Sequence, residues 1–294
     1  MDHDAWHDDL LSRLCAGREP PLPSPDVALL LDAAADDSLS HDDLVSIVSE
    51  SPALRLSLLI LSNGPVWGRY APARTIDEAV VRFGRRGCAQ AATWLAVTEF
   101  CGKAAAIPHR GRDRLWRHLM LTAWLARELA GGTCTVPYGD PLLAGMVHDL
   151  GHILLASPAA RLGVVWHDEH EALVDRGEEI DPELDHTRVG ASLLDLWGAP
   201  AELVTCALHH HSPHLAIPYF QPLVATVRLA DLVAEKVESE EFSRGWRLRD
   251  EPGIEGLVHL AGAENVVAVE AACLTKLPDA VILIDRWAEL RPAR

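Results

Sequence analysis

The chain has 294 residues, enough to bury one large core or two packed subdomains. Asp and Glu number 43 against 26 Lys and Arg, and the resulting formal charge of −17 leaves no basic face for nucleic acid; no apolar run approaches the roughly 20 residues of a bilayer span. Six scattered cysteines without a C-x-x-C pair read as reduced and structural, and the acidic start MDHDAWHDDLL lacks a basic-then-apolar leader, so a cytoplasmic protein is expected.

The first part of the chain reads as consecutive helices. Residues 26–35 place Val27, Leu30 and Leu31 together, and Ser40 with Asp43 caps a helix over 40–49. Pro52 sits in the first turn of another, whose Leu54, Leu58 and Leu61 share a face before Asn63-Gly64-Pro65 stops it. Residues 75–83 and 87–101 give two more. The polar, basic stretch 108–114 is expected to be a linker between lobes.

Beyond it, helices are expected at 115–130, 141–155, 162–176, 186–197, 200–210 and 222–237. A charged, loop-like tail over 238–251 leads to short helices at 253–261, 266–273 and 279–290. The expected fold is all-α, a two-lobed helical bundle: an N-terminal lobe (1–107), a second lobe (108–237) and a C-terminal extension (238–294) packed on it.

Polar residues interrupt the apolar faces of the second lobe. His118 shares a helical face with Leu121, Leu125 and Leu129; His186 with Val189, Leu193 and Trp197; His211 with Ala207 and Val204; Asp231 with Val227 and Val224. His148 and Asp149 follow an apolar run. Any one of these histidines alone is most simply a packed core residue, but five segments supplying such residues make a shared site the better reading. A carboxylate on a buried face also needs a cation or another polar partner.

Imidazoles mixed with carboxylates suit Fe, Mn or Zn, one or two ions, and the carboxylate of Asp149 can bridge a pair. The expected metal set is His118, His148, Asp149, His186, His210, His211 and Asp231. His209 is weaker, because three successive helical residues cannot all face one point. His3, His7, His41, His109, His167, His170, His214 and His259 read as surface or loop residues. The chain contains no G-x-S-x-G elbow, phosphate loop or dinucleotide fingerprint, and no organic cofactor site is expected.

The order H…HD…H…HH…D is that of HD-type metal-dependent phosphohydrolases, and the chain resembles more closely the HDOD (HD-related output domain) proteins of bacterial signalling. The resemblance rests on Ser51-Pro52-Ala53-Leu54, Thr75-Ile76-Asp77-Glu78-Ala79, Phe83-Gly84, the start at Trp116–Leu119, the segment 145–152, the long run 186–200 and His210-His211. It implies a helical N-terminal lobe followed by an HD-like lobe, and an output or scaffold role rather than turnover.

Against the related cyclic-dinucleotide phosphodiesterases, the resemblance places His152 where a phosphate-contacting Lys stands, and Arg114 where some present a Glu ligand. Ser212-Pro213-His214-Leu215 replaces their Gly-Tyr-Pro signature. The expectation is a signalling module acting by protein or ligand binding with a retained metal site. Its partners would be signalling proteins or a small nucleotide ligand, with no nucleic acid or membrane, and a homo-oligomer is allowed. The alternatives are a phosphohydrolase acting on a nucleotide or cyclic dinucleotide, and a metal-free scaffold. Were the chain an enzyme, Asp149 and His152 would be the catalytic candidates, with Arg114, Arg117, Arg188 or His152 offsetting substrate charge.

Overall fold

The computed structural model describes residues 11, 15, 22–62, 73–104, 107, 109–155, 164–167, 172–175 and 185–289. Among these the fold is helical apart from one short hairpin, in keeping with an all-α protein. The chain divides into two compact units, built chiefly from Pro21–Phe100 and from Cys101–Ile284.

In the first unit, α1 (Pro25–Ala35), α2 (His41–Glu50) and α3 (Pro52–Ser62) follow one another through short connections. Ser40 caps α2 through a reciprocal box: its hydroxyl accepts from the Asp43 N–H at 3.3 Å, and the Asp43 carboxylate accepts from the Ser40 N–H at 2.7 Å. Val27, Leu30, Leu44, Val48, Leu54 and Leu58 are buried. α4 (Ile76–Lys103) is continuous in name only: Gly84, at φ 59°, ψ −173°, separates two helical halves, matching the two helices expected there.

The second unit begins with α5 (His109–Ala130), α6 (Pro141–Val147) and α7 (Gly151–Leu155). The strands β1 (Val164–His167) and β2 (Ala172–Asp175) come next, then α8 (His186–Leu196), α9 (Ala201–His209), α10 (Gln221–Glu238), α11 (Ile254–Leu260) and α12 (Val266–Glu289). α10 packs on α5 and α6, α5 on α6, and α8 on both α7 and α9. Two glycines permit this closeness. A Cβ on Gly145 would stand 2.5 Å from Ala123 Cα, and one on Gly151 only 1.9 Å from the His186 carbonyl oxygen.

Four expectations are corrected. The stretch 109–114 is no linker but the first turns of α5, where polar residues suit an exposed helix start and His109 pairs with Asp113 at 2.8 Å. The expected helix 141–155 breaks into α6 and α7 at His148–Leu150. The expected helix 162–176 contains an antiparallel pair, Val164 opposite Asp175 and His167 opposite Ala172; the β-branched and aromatic Val164-Val165-Trp166 favours strand over helix. Finally, α12 runs through Pro278 rather than stopping before it. Leu274 and Pro278 both lie on the exposed side, where water can solvate the carbonyl that the missing N–H leaves unbonded.

Candidate metal centre

The residues singled out by their order arrive on five elements of the second unit. His118 lies in the middle of α5, and Asp231 on α10 packed against it. His148 and Asp149 occupy the break after α6, a helix fixed at its start by Asp140, whose carboxylate accepts from the N–H groups of Leu142 and Leu143. Asp185 does the same for α8, accepting from Thr187 and Arg188, and so holds His186 at the first helical position. His210 caps the C-terminus of α9 and His211 follows it.

Asp149 divides the cluster. Its Oδ2 lies 3.6 Å from both His118 Nε2 and His148 Nε2, and Asp231 Oδ1 stands 3.1 Å and 3.5 Å from the same two nitrogens. Its Oδ1 lies 3.2 Å from His210 Nε2 and 3.5 Å from His186 Nε2, whose own neighbour at 2.9 Å is His211 Nε2. Two ligand groups result, His118–His148–Asp149 and Asp149–His186–His210–His211, sharing one carboxylate.

Hydrogen bonding fixes which ring nitrogens point inward. The Nδ1–H of His148 donates to the Gly145 carbonyl and that of His210 to the Ala207 carbonyl, each at 2.9 Å, so the Nε2 of each ring points toward the cluster and offers it a lone pair whenever that ring is neutral. These two Nε2 atoms, His118 Nε2, Asp149 Oδ1 and Asp231 Oδ1 are buried without a hydrogen-bond partner among the described residues. Orphaned acceptors converging this way are costly unless a cation lies among them. The cluster can therefore hold a metal ion.

The electrostatics agree. Burial would raise the Asp149 carboxyl, but the rings of His148, His152, His210 and His186 hold it well below the usual carboxylate range. Asp231 behaves alike: burial is outweighed by His118, His148 and the guanidinium of Arg228. Burial, then the neighbouring His210, Arg228 and His186, pushes His211 down to about 3, which keeps its ring neutral; burial also lowers His210. His118 and His148 go the other way. Burial acts against their charged forms, yet Glu238 and Asp231 raise His118 well above its ordinary value, and Asp149 and Asp231 raise His148.

Two residues at the cluster were not anticipated from sequence. Arg228, one turn before Asp231 on α10, donates from Nη1 to Asp231 Oδ2, leaving Oδ1 to face the cluster, and reaches Glu235 at 3.4 Å. Glu238, expected to open a charged tail, is the last residue of α10; its carboxylate lies 3.5 Å from His118 Nδ1 and 3.7 Å from Arg114 Nε. The i to i+3 and i to i+7 spacings from Asp231 were the only available signal for either. His152 stacks on His186 with ring centroids 4.1 Å apart and its Nε2 3.8 Å from Asp149. His209 belongs to neither ligand group, and His3, His7 and His170 lie outside the described residues.

Residues 20–213 match the HDOD domain model, about two thirds of the chain, and the chain belongs to that family. An uncharacterised protein of Treponema pallidum (strain Nichols) is 27% identical over 203 residues, which make up 67% of this chain but only 39% of that protein's length. Among solved structures, an HDOD domain protein of unknown function from Geobacter sulfurreducens superposes with a TM-score of 0.73 at 20% identity, covering 98% of this chain and 99% of its own. A protein of Shewanella amazonensis SB2B named as a candidate phosphohydrolase gives 0.66 at 19% identity, with 94% and 97% covered. One from Marinobacter aquaeolei VT8, named as a candidate signal transduction protein, gives 0.63 at 18%, with 98% and 67% covered. At these identities the structures share the fold.

Proposed function

We propose that this HDOD protein is a signalling module whose second unit holds a pair of transition-metal ions and responds by binding a small ligand or a protein. The observation that carries the reading is the placement of Asp149, whose two oxygens face two separate sets of imidazoles. His118, His148, Asp149 and Asp231 would hold one ion, and Asp149, His186, His210 and His211 the other. Nitrogen-rich donors of this kind favour Fe, Mn or Zn over Mg or Ca. When bound, such ions supply Lewis acidity toward a phosphoryl or carboxylate oxygen.

Binding is preferred over turnover because of what surrounds the centre. His152 lies against His186 instead of extending a cationic chain, and Arg114 is engaged with Glu238. The signalling role also draws support from the family's output character and from the Marinobacter protein's name. The test is a multiple-turnover assay of the metal-replete chain on nucleotides and cyclic dinucleotides. The expected result is binding without sustained product release; turnover in proportion to bound Mn or Fe would overturn it.

That second outcome would favour a metal-dependent phosphohydrolase, for which the shared carboxylate is the specific argument. Asp149 would hold both ions in fixed register, and Arg228 would keep Asp231 oriented toward them.

A further inference from the structure

A cavity of about 610 Å³ opens beside the cluster, within the second unit. His211 and Arg228 form part of its wall, together with His214. Leu232, one turn beyond Arg228 on α10, and Ile254 and Leu257 on α11 supply an apolar surface, while Glu251 stands just before α11. Its volume falls in the range of roughly 300–1,000 Å³ usual for small-molecule sites. The wall from Glu251 to Leu260 lies beyond residues 20–213, the part matched by the family model.

Each wall recognises a different chemical group. Arg228 uses only Nη1 toward Asp231 and Glu235, so Nε and Nη2 make no hydrogen bond among the described residues and the guanidinium, 19% exposed, keeps donors for an anion. His211 brings the same cavity to the edge of the ligand cluster. Aliphatic side chains on α10 and α11 suit the faces of a flat apolar body. Glu251 accepts from the Trp246 indole N–H through Oε1 at 2.8 Å, leaving Oε2 to accept from a ligand hydroxyl or amino group.

From this pattern we infer that the cavity binds a nucleoside monophosphate, with the phosphate toward Arg228 and His211, the base against Leu232, Ile254 and Leu257, and Glu251 on a ribose hydroxyl or base amino group. The inference deepens the metal-centre reading and rests on it only for the placement of the phosphate beside the ions.

Gly256 provides a selective block. It lines the cavity, and a Cβ there would meet nothing within 4 Å, so Gly256→Phe adds bulk at the cavity wall from a position with room for its first atom, and Gly256→Ala serves as the conservative control. The four common nucleoside 5′-monophosphates, their nucleosides and inorganic phosphate are titrated calorimetrically into the full chain, both chelator-treated and Mn-loaded. At least one monophosphate should bind about tenfold or more tightly than its nucleoside and than phosphate. Gly256→Phe should weaken that binding by about tenfold or more at unchanged metal content, while Gly256→Ala retains it. Equal affinity for nucleoside and monophosphate, no monophosphate binding, or unaltered affinity in Gly256→Phe would overturn the assignment. A chain that takes up no metal yet loses monophosphate binding in Gly256→Phe would separate failure of the metal reading from failure of this one.

Discussion

His210 Nε2 faces Asp149 Oδ1 at 3.2 Å, and neither atom has a hydrogen-bond partner among the described residues. The opposite ring nitrogen of His210 donates to the Ala207 carbonyl, and burial favours the neutral ring, so two lone pairs confront each other. A cation shared by both removes the repulsion.

His148→Ala and Asp149→Ala should each cost more bound metal than His209→Ala. His148 is fully buried with Nε2 in the cluster, and Asp149 belongs to both ligand groups, whereas His209 belongs to neither. Elemental analysis of the three variants checks this; equal metal content in all three would reject the assignment of ligands.

Ion binding should release protons at neutral pH, and chiefly from the His118–His148 side. Those rings have raised values in the ion-free protein, so they hold protons below the raised value and must lose them to coordinate; His210 and His211 are already neutral. The release should fade as pH rises through the raised His118 value. Calorimetric titration in buffers of different ionisation enthalpy measures it. An enthalpy independent of buffer would contradict the coupling.

How the sequence exposed this site, and where it did not, has a physical reason. His118, His186, His211 and Asp231 were visible because each interrupts the apolar face of its own segment, and His148 with Asp149 because the pair follows an apolar run; both are local patterns. Arg228 was not, since a single Arg on an amphipathic helix resembles any solvated one until the orientation of Asp231 is known. Glu238 was hidden by the charged run after it. The cavity wall at Ile254 and Leu257 depends on packing between distant segments, which no local period encodes. The 164–167 and 172–175 strands are obscured in the sequence because short apolar runs satisfy either period, although the β-branched Val164 and Val165 favour strand.

Gly151→Ala should lower both stability and metal content. Its new methyl would collide with the His186 carbonyl and the Gly190 nitrogen, forcing α7 from α8 and shifting the His186 ring. Overpacking of this kind costs about 1–3 kcal/mol or more, hence a fall in Tm of roughly 5 °C. Gly256→Ala, with open space around its Cβ inside a helix, is the matched control and should leave Tm unlowered or slightly raised. Thermal melts of both decide; an unaffected Gly151→Ala would mean that α7 and α8 can part without loss.

His152→Lys should fold normally and gain little or no phosphodiesterase activity. The ring it removes is partly exposed and stacks on His186, and the ammonium can reach solvent. Arg114, paired with Glu238, and the segment Ser212-Pro213-His214-Leu215 are untouched by this one change. A cyclic-dinucleotide assay in Mn or Fe tests it, and robust turnover from this one change would favour the enzyme reading.

The most direct measurement is the metal stoichiometry of the full chain purified without chelator and reconstituted in turn with Fe, Mn and Zn. The shared Asp149 carboxylate predicts about two ions per chain, falling to near zero in Asp149→Ala while helical content is retained. Wild-type protein that remains below about a tenth of an equivalent with all three metals would contradict the centre altogether.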